Sequence, residues 1–142
     1  MSGDTAFSIP TRVYWEDTDA GGVVYHAQYL AFLERARSEW LRSLGYGQEL
    51  LRGAHGLLFA VRALRIEFHR PARLDDVLQV GVALRQCRRA SALFVQDVRR
   101  DGELLLAAEV RVAALNAGDF RPCAIPDTIH ARFKTLETTD AE

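Results

Sequence analysis

Four apolar runs follow one another between Leu64 and Leu115, and their short connections constrain the fold more than any other feature of the sequence. Leu64, Ile66 and Phe68 alternate with Arg65, Glu67 and His69, the period-two pattern of a half-buried strand. After a turn at Pro71 to Asp76, Leu78, Val80, Val82 and Leu84 resume it. The run Leu93 to Val98 joins Leu104 to Leu115 through Asp101-Gly102, a strong hairpin signal. Parallel neighbours need a crossover of about a dozen residues or more, so these strands must be antiparallel.

Upstream, Ala27 to Leu44 holds no Gly or Pro and reads as one long helix over about 27–44, with Gly45 placed to end it. Leu30, Leu33, Trp40, Leu41 and Leu44 fall on one arc of that helix. Arg37 lies near the middle of the arc and Glu34 on its flank, at the i,i+3 spacing where side chains meet. The pair reads either as a device that orients a neighbouring loop or as a structural ion pair. Arg12-Val13-Tyr14-Trp15 predicts a short first strand, Gln48 to Gly56 a polar connection, and Pro126 to about Lys134 a short helix. The order is β-α-β-β-β-β: a five-stranded antiparallel sheet around one long amphipathic helix, a two-layer α+β fold. A length of 142 residues suits a single domain over 1–142 with short flexible tails.

Charge and composition exclude several function classes. Eighteen basic against 19 acidic residues leave a formal charge of -1. No global basic field exists to gather nucleic acid or an anionic membrane, so any anion site must be local. No run of about 18 apolar residues occurs, so nothing spans a bilayer as a helix. Cys87 and Cys123 are too few and too far apart for a disulfide scaffold or a zinc knuckle. His26, His55, His69 and His130 are scattered, without metal-ligand spacing. Met1 to Thr5 shows neither the basic nor the apolar region of a signal peptide, and a cytoplasmic location is the default expectation.

The segment Glu16 to His26 is the most informative. Glu16, Asp17 and Asp19 crowd together ahead of Gly21-Gly22, and the helix follows within a few residues. Glycines allow positive φ and close approach of a ligand to the backbone. The first turn of a helix offers unpaired N–H groups and a partial positive charge, suited to a developing oxyanion. An acid just upstream can act as nucleophile or as general base toward water. The plainer reading is that Asp17 or Asp19 caps a turn, since Asp and Gly gather in loops anyway. His26, beside Tyr25, either positions a substrate or serves as a cap or interface residue.

Arg85, Arg88 and Arg89, with Ser91, form the densest basic cluster of the strand region. They read as a phosphate contact, to which guanidinium is suited, or as a solvated turn. Arg62, Arg65, His69, Arg70 and Arg73 are spread along a strand and its turn, and a solvent face explains most of them.

The stretch from Arg12 to Tyr29, RVYWEDTDAGGVVYHAQY, resembles the signature of hot-dog-fold acyl-CoA thioesterases. It is most similar to the Tol–Pal-associated group, related to 4-hydroxybenzoyl-CoA thioesterase. The likeness continues through Phe32 to Arg37, Pro71 to Asp76 and Arg121-Pro122, over roughly residues 10 to 134. The resemblance implies the hot-dog fold, hydrolysis of a thioester to acid and thiol, and no metal or redox cofactor. It makes Asp19 the catalytic carboxylate, acting as nucleophile or general base. It puts the carbonyl-polarising helix-start amide near His26, which is itself matched and joins Asp19 in the catalytic set. Gly22, Val24 and Tyr25 then border the substrate and oxyanion position. Arg88 and Arg89, with Ser91, become the contacts to coenzyme A phosphates.

The implied partners are an acyl-CoA, or an acyl-carrier protein, and further copies of the chain in a homodimer or homotetramer whose site lies between subunits. Trp15 departs from the group, which usually carries a second Tyr there. Two competing readings are a hot-dog 3-hydroxyacyl dehydratase built on His26 and Glu34, and an acyl-CoA or acyl-carrier binding module without turnover.

Overall fold

The structure, a computed structural model, describes residues 7–138. The tails expected at either end extend into residues outside that range. The elements are β1 (Phe7–Arg12), a single 3-10 turn (Trp15–Asp17), α1 (Gln28–Ser43), α2 (Gln48–His55), β2 (Leu57–Phe68), β3 (Val77–Cys87), β4 (Ser91–Arg100), β5 (Glu103–Asn116) and α3 (Asp127–Leu136). The five strands form one antiparallel sheet in the order β1-β3-β4-β5-β2.

The alternation read from the sequence is what closes the two layers. Val80, Val82 and Leu84 of β3 pair with Val98, Gln96 and Phe94 of β4. Phe94 and Gln96 in turn pair with Val110 and Ala108 of β5. All of these side chains are buried, and they form the sheet face on which α1 lies, through Phe32, Leu33, Ala36, Trp40 and Leu41. Trp40 meets Phe94 edge-on at 5.2 Å between ring centroids and Phe133 of α3 at 5.5 Å, so α3 closes the C-terminal end of the same layer. Asp101 and Gly102 both take positive φ, 52° and 83°, as a two-residue hairpin turn requires.

Two local expectations need correction. The first strand does not lie at Arg12 to Trp15: β1 ends at Arg12, and Trp15 starts the 3-10 turn. There the Asp17 carboxylate accepts a hydrogen bond from the Tyr14 amide (2.8 Å), which outweighs the β-propensity of Tyr and Trp. The polar connection Gln48 to Gly56 contains α2, whose one buried residue is Leu51 and whose end is set by Gly56 at φ 60°.

The sheet has two edges of different character. β1 is six residues long and carries Pro10, a residue that cannot donate to a further strand. β2 is twelve residues long without Pro, and Val61, Leu64 and Phe68 stand exposed along it.

Candidate active site

The segment Asp17 to Tyr25 folds into a narrow hairpin. The Tyr25 amide donates to Asp17 O (3.0 Å) and the Asp19 amide to Val23 O (2.9 Å), with Thr18 bridged to Val24 between them. The tip is Asp19 to Gly22. Gly22 sits at φ 82°, the left-handed region that a side chain disfavours. A Cβ on Gly21 would stand 3.3 Å from Asp19 Oδ1, close to the atom that accepts the Gly21 amide at 2.8 Å.

The acids of this segment have separate duties. Asp17 is buried and holds the Tyr14 amide. Glu16 and Asp19 are exposed. Asp19 spends one oxygen on Gly21, and its Oδ2 has no partner among the described residues. The turn-capping reading therefore fits Asp17 fully and Asp19 in part.

The base of the hairpin is clamped to the β2–β3 connection. The Val24 amide donates to Ala72 O (2.8 Å), and Val13 exchanges hydrogen bonds with Asp76 and Asp75. The Ala72 amide donates to the hydroxyl of Tyr29 (2.9 Å), a buried residue of the first turn of α1. Burial pushes the Tyr29 hydroxyl above its ordinary pKa of 10.0, so it stays protonated. Asp76 accepts the Arg73 amide (2.8 Å) and the Arg100 guanidinium (2.7 Å). Arg100 is raised further by that bond and by Glu103.

α1 starts directly behind this hairpin. The amides of Gly22, Val24 and Tyr25 already donate to Asp19 O, Ala72 O and Asp17 O. Those of His26 and Ala27 have no acceptor among the described residues, and the N-terminus carries no side-chain cap. The His26 and Ala27 amides are thus left open at the helix start. The exposed rings of Tyr25 and His26 lie 4.5 Å apart, on the solvent side of that start.

Arg88 and Arg89 are exposed in the β3–β4 turn. Their main chain is fixed, with the Arg88 amide on Ser91 O and Arg89 O accepting Ile125 N (both 2.8 Å). Their guanidinium groups have no partner among the described residues. Ser91 is buried, its hydroxyl 3.4 Å from Arg111 Nη1. Arg85 is paired with Glu109 (3.0 Å). The turn lies at the opposite end of the sheet from Asp19, separated by the length of β3, about 33 Å at 3.3 Å per residue. One chain does not bring the acid and the arginines together.

Arg37 and Glu34 are not an ion pair. The Arg37 guanidinium donates to Gln96 Oε1 (2.9 Å), and Gln96 Nε2 donates to Leu33 O (3.0 Å). Burial lowers the pKa of Arg37, and nearby Glu34 offsets this in part. Gln96 was not singled out from sequence, where it is one polar residue in an apolar run. Arg37 and Glu34 line a cavity of about 380 Å³ between α1 and β2, with Leu30, Leu33, Leu64 and Phe59 among its apolar walls. No group of three or more His, Cys, Asp or Glu side chains among the described residues could hold a metal.

Residues 13–133 match the thioesterase-like superfamily, and the chain belongs to that family. It is 45% identical over 134 residues to the acyl-CoA thioesterase YbgC of Haemophilus influenzae, covering 94% of this chain and 98% of the relative. It is 46% identical over 131 residues to the acyl-CoA thioester hydrolase YbgC of Escherichia coli O6:H1, covering 92% and 97%. Among solved structures, a probable thioesterase from Bartonella henselae is similar at 38% identity with a TM-score of 0.81, over 84% of this chain and 98% of that one. A thioesterase-superfamily protein from Jannaschia sp. CCS1 reaches 0.89 at 20% identity over 96% of both chains, which speaks to the fold alone. The hot-dog fold implied by the Arg12 to Tyr29 stretch is the fold of this chain.

Proposed function

We propose that the protein hydrolyses an acyl-CoA to the free acid and CoA, with Asp19 as the reacting carboxylate. One observation carries the reading: an exposed carboxylate at the tip of a hairpin whose base runs into a helix start with unpaired amides. The thioester oxygen turns to the His26 and Ala27 amides, whose partial positive charge favours the developing oxyanion. Gly22 keeps the tip open, and the Tyr25 and His26 rings border the acyl carbonyl.

Asp19 works in one of two courses. As nucleophile, its Oδ2 bonds to the carbonyl carbon, the C–S bond breaks, and water then hydrolyses the mixed anhydride. As general base, it takes a proton from water as the new C–O bond forms, and the departing thiolate gains a proton. Either course gives acid and thiol with protein groups and water alone, so the reading needs no metal or redox cofactor. A single turnover in ¹⁸O-water separates them. The general-base course puts one ¹⁸O in the acid released. The nucleophile course, with water attacking the Asp19 carboxyl carbon of the anhydride, releases an unlabelled first acid and leaves the label on Asp19.

The site is completed by a second chain. β2 runs from the Arg88 end of the sheet to the Asp19 end, since Leu57 pairs with Asn116 and Phe68 with Leu106. Antiparallel pairing of two exposed β2 edges sets the Asp19 end of one chain beside the Arg88 end of its partner. That places Arg88 and Arg89 of one subunit to hold the CoA phosphates while Asp19 of the other meets the thioester. A homodimer is the smallest assembly that does this. Cys87 and Cys123 are free thiols, in keeping with the reducing cytoplasm proposed as its location.

The dehydratase reading is less well supported. Glu34 lies six residues into α1 from Gln28, so at least about 9 Å of helix axis separate it from His26. Thiol release from acyl-CoA and from an acyl-carrier protein, measured beside hydration of an enoyl-CoA, tests the function. Thiol release that Asp19→Asn abolishes supports the proposal. Hydration alone, or tight binding without turnover, overturns it.

A further inference from the structure

We propose that Arg37, held by Gln96, selects acyl groups that carry a hydrogen-bond-accepting oxygen at their far end. This rests on the thioesterase reading, because it takes the acyl carbonyl to sit at the start of α1.

The cavity beside α1 is apolar in most of its wall, yet it contains a half-buried guanidinium. A purely hydrocarbon acyl chain gains nothing from such a group, and burying its charge without an acceptor is costly. Only one of its five N–H donors has a hydrogen-bond partner among the described residues, Gln96 Oε1. No side-chain nitrogen among the described residues is both sealed from solvent and unpaired, so the remaining donors face open space rather than protein.

Gln96 makes this arrangement directional. Its amide nitrogen is tied to Leu33 O and lies 3.5 Å from Gly81 O, which leaves its oxygen as the acceptor aimed at Arg37. Long helical side chains lean back over the i−4 position, which sets the guanidinium nearer the level of Leu33 than of its own Cα. From Ala27 to Leu33 is six residues, about 9 Å along the axis. A substrate with its carbonyl on the helix-start amides and an oxygen about 9 Å further on would reach both. That span corresponds to a medium-length acyl group with an ω-hydroxyl or ω-carboxylate.

The test is a set of acyl-CoA thioesters from butyryl to decanoyl, each methyl-ended, ω-hydroxy and ω-carboxy, assayed by thiol release. At the matched length, kcat/KM is expected to favour the oxygenated ends at least about tenfold over methyl. Arg37→Met should abolish that preference while keeping turnover of methyl-ended substrates. Arg37→Lys, which keeps charge without the planar fork, should retain part of it, and a melting curve for each variant confirms folding.

Equal turnover of the three series by the native protein overturns the inference and leaves the thioesterase reading intact. A preference that survives Arg37→Met overturns it equally. So does an Arg37→Met protein that loses its dimer with the preference unchanged, since the donors then serve the partner chain. Absence of thiol release from every substrate overturns the thioesterase reading itself.

Discussion

The two ends of the sheet offer opposite kinds of surface. At the Asp19 end the backbone is tied down almost residue by residue. Asp17, Tyr29, Ala72, Asp76 and Arg100 hold the hairpin, the helix start and the β2–β3 connection together. Asp19 projects from that frame with one oxygen open. At the other end the β3–β4 turn is fixed only in its main chain, and the Arg88 and Arg89 side chains reach into solvent. Bond-making demands a reacting group held within fractions of an ångström, whereas holding phosphates needs only mobile positive charge. The contrast fits the proposed division, with chemistry at one end and ligand capture at the other.

The largest effect should come from removing the chemistry. Asp19→Asn keeps the Gly21 contact through its amide oxygen and should lower kcat by on the order of a thousandfold, with circular dichroism unchanged. Near-normal turnover would break the assignment.

Next comes the capture end. Arg88→Ala with Arg89→Ala should raise KM for acyl-CoA by about tenfold or more, since charge-assisted hydrogen bonds contribute roughly 1.5–3 kcal/mol. The same variant should leave KM unchanged for an acyl thioester that lacks the nucleotide. A fall in kcat on both substrates would show that the two ends are not divided as described.

The frame behind Asp19 can be loosened separately. Tyr29→Phe deprives the buried Ala72 amide of its acceptor at a cost of about 1–3 kcal/mol. Melting temperature and kcat should both fall, with KM little moved.

The smallest effect concerns a clasp near the arginine end. Glu137 accepts the Cys87 amide (2.6 Å) and Lys134 Nζ (3.0 Å). The amide bond first, then Lys134, holds its pKa below the ordinary 4.5. A carboxyl lowered on folding stabilises the protein above its unfolded pKa and loses that effect as pH falls through the folded value. Glu137→Gln should therefore cost less than about 1 kcal/mol near neutral pH. The difference from the native protein should vanish in acid, which melting curves at both pH values would show.

Legibility in the sequence follows the range of the forces involved. α1, β3 and the Asp101-Gly102 hairpin are set by periodicity and turn chemistry within a few residues, and all are visible. α2 escapes because Gln48–His55 buries only Leu51, too little for an apolar stripe. β1 is displaced because the Tyr14–Asp17 hydrogen bond overrides local propensity. The Asp19 hairpin is marked by its acid-and-glycine pattern, but which amides remain free depends on Ala72, far along the chain. Gln96 is the clearest loss, since its partners lie 59 and 63 residues away.

Because the acid and the arginines are separated in one chain, mixing two impaired forms tests the account most directly. Asp19→Asn protein and Arg88→Ala/Arg89→Ala protein are combined, dissociated and reassociated, and thiol release is followed below KM. Each mixed dimer regains one site with Asp19 from one chain and both arginines from the other. The account predicts activity well above the mean of the two parents, and activity equal to that mean would contradict it.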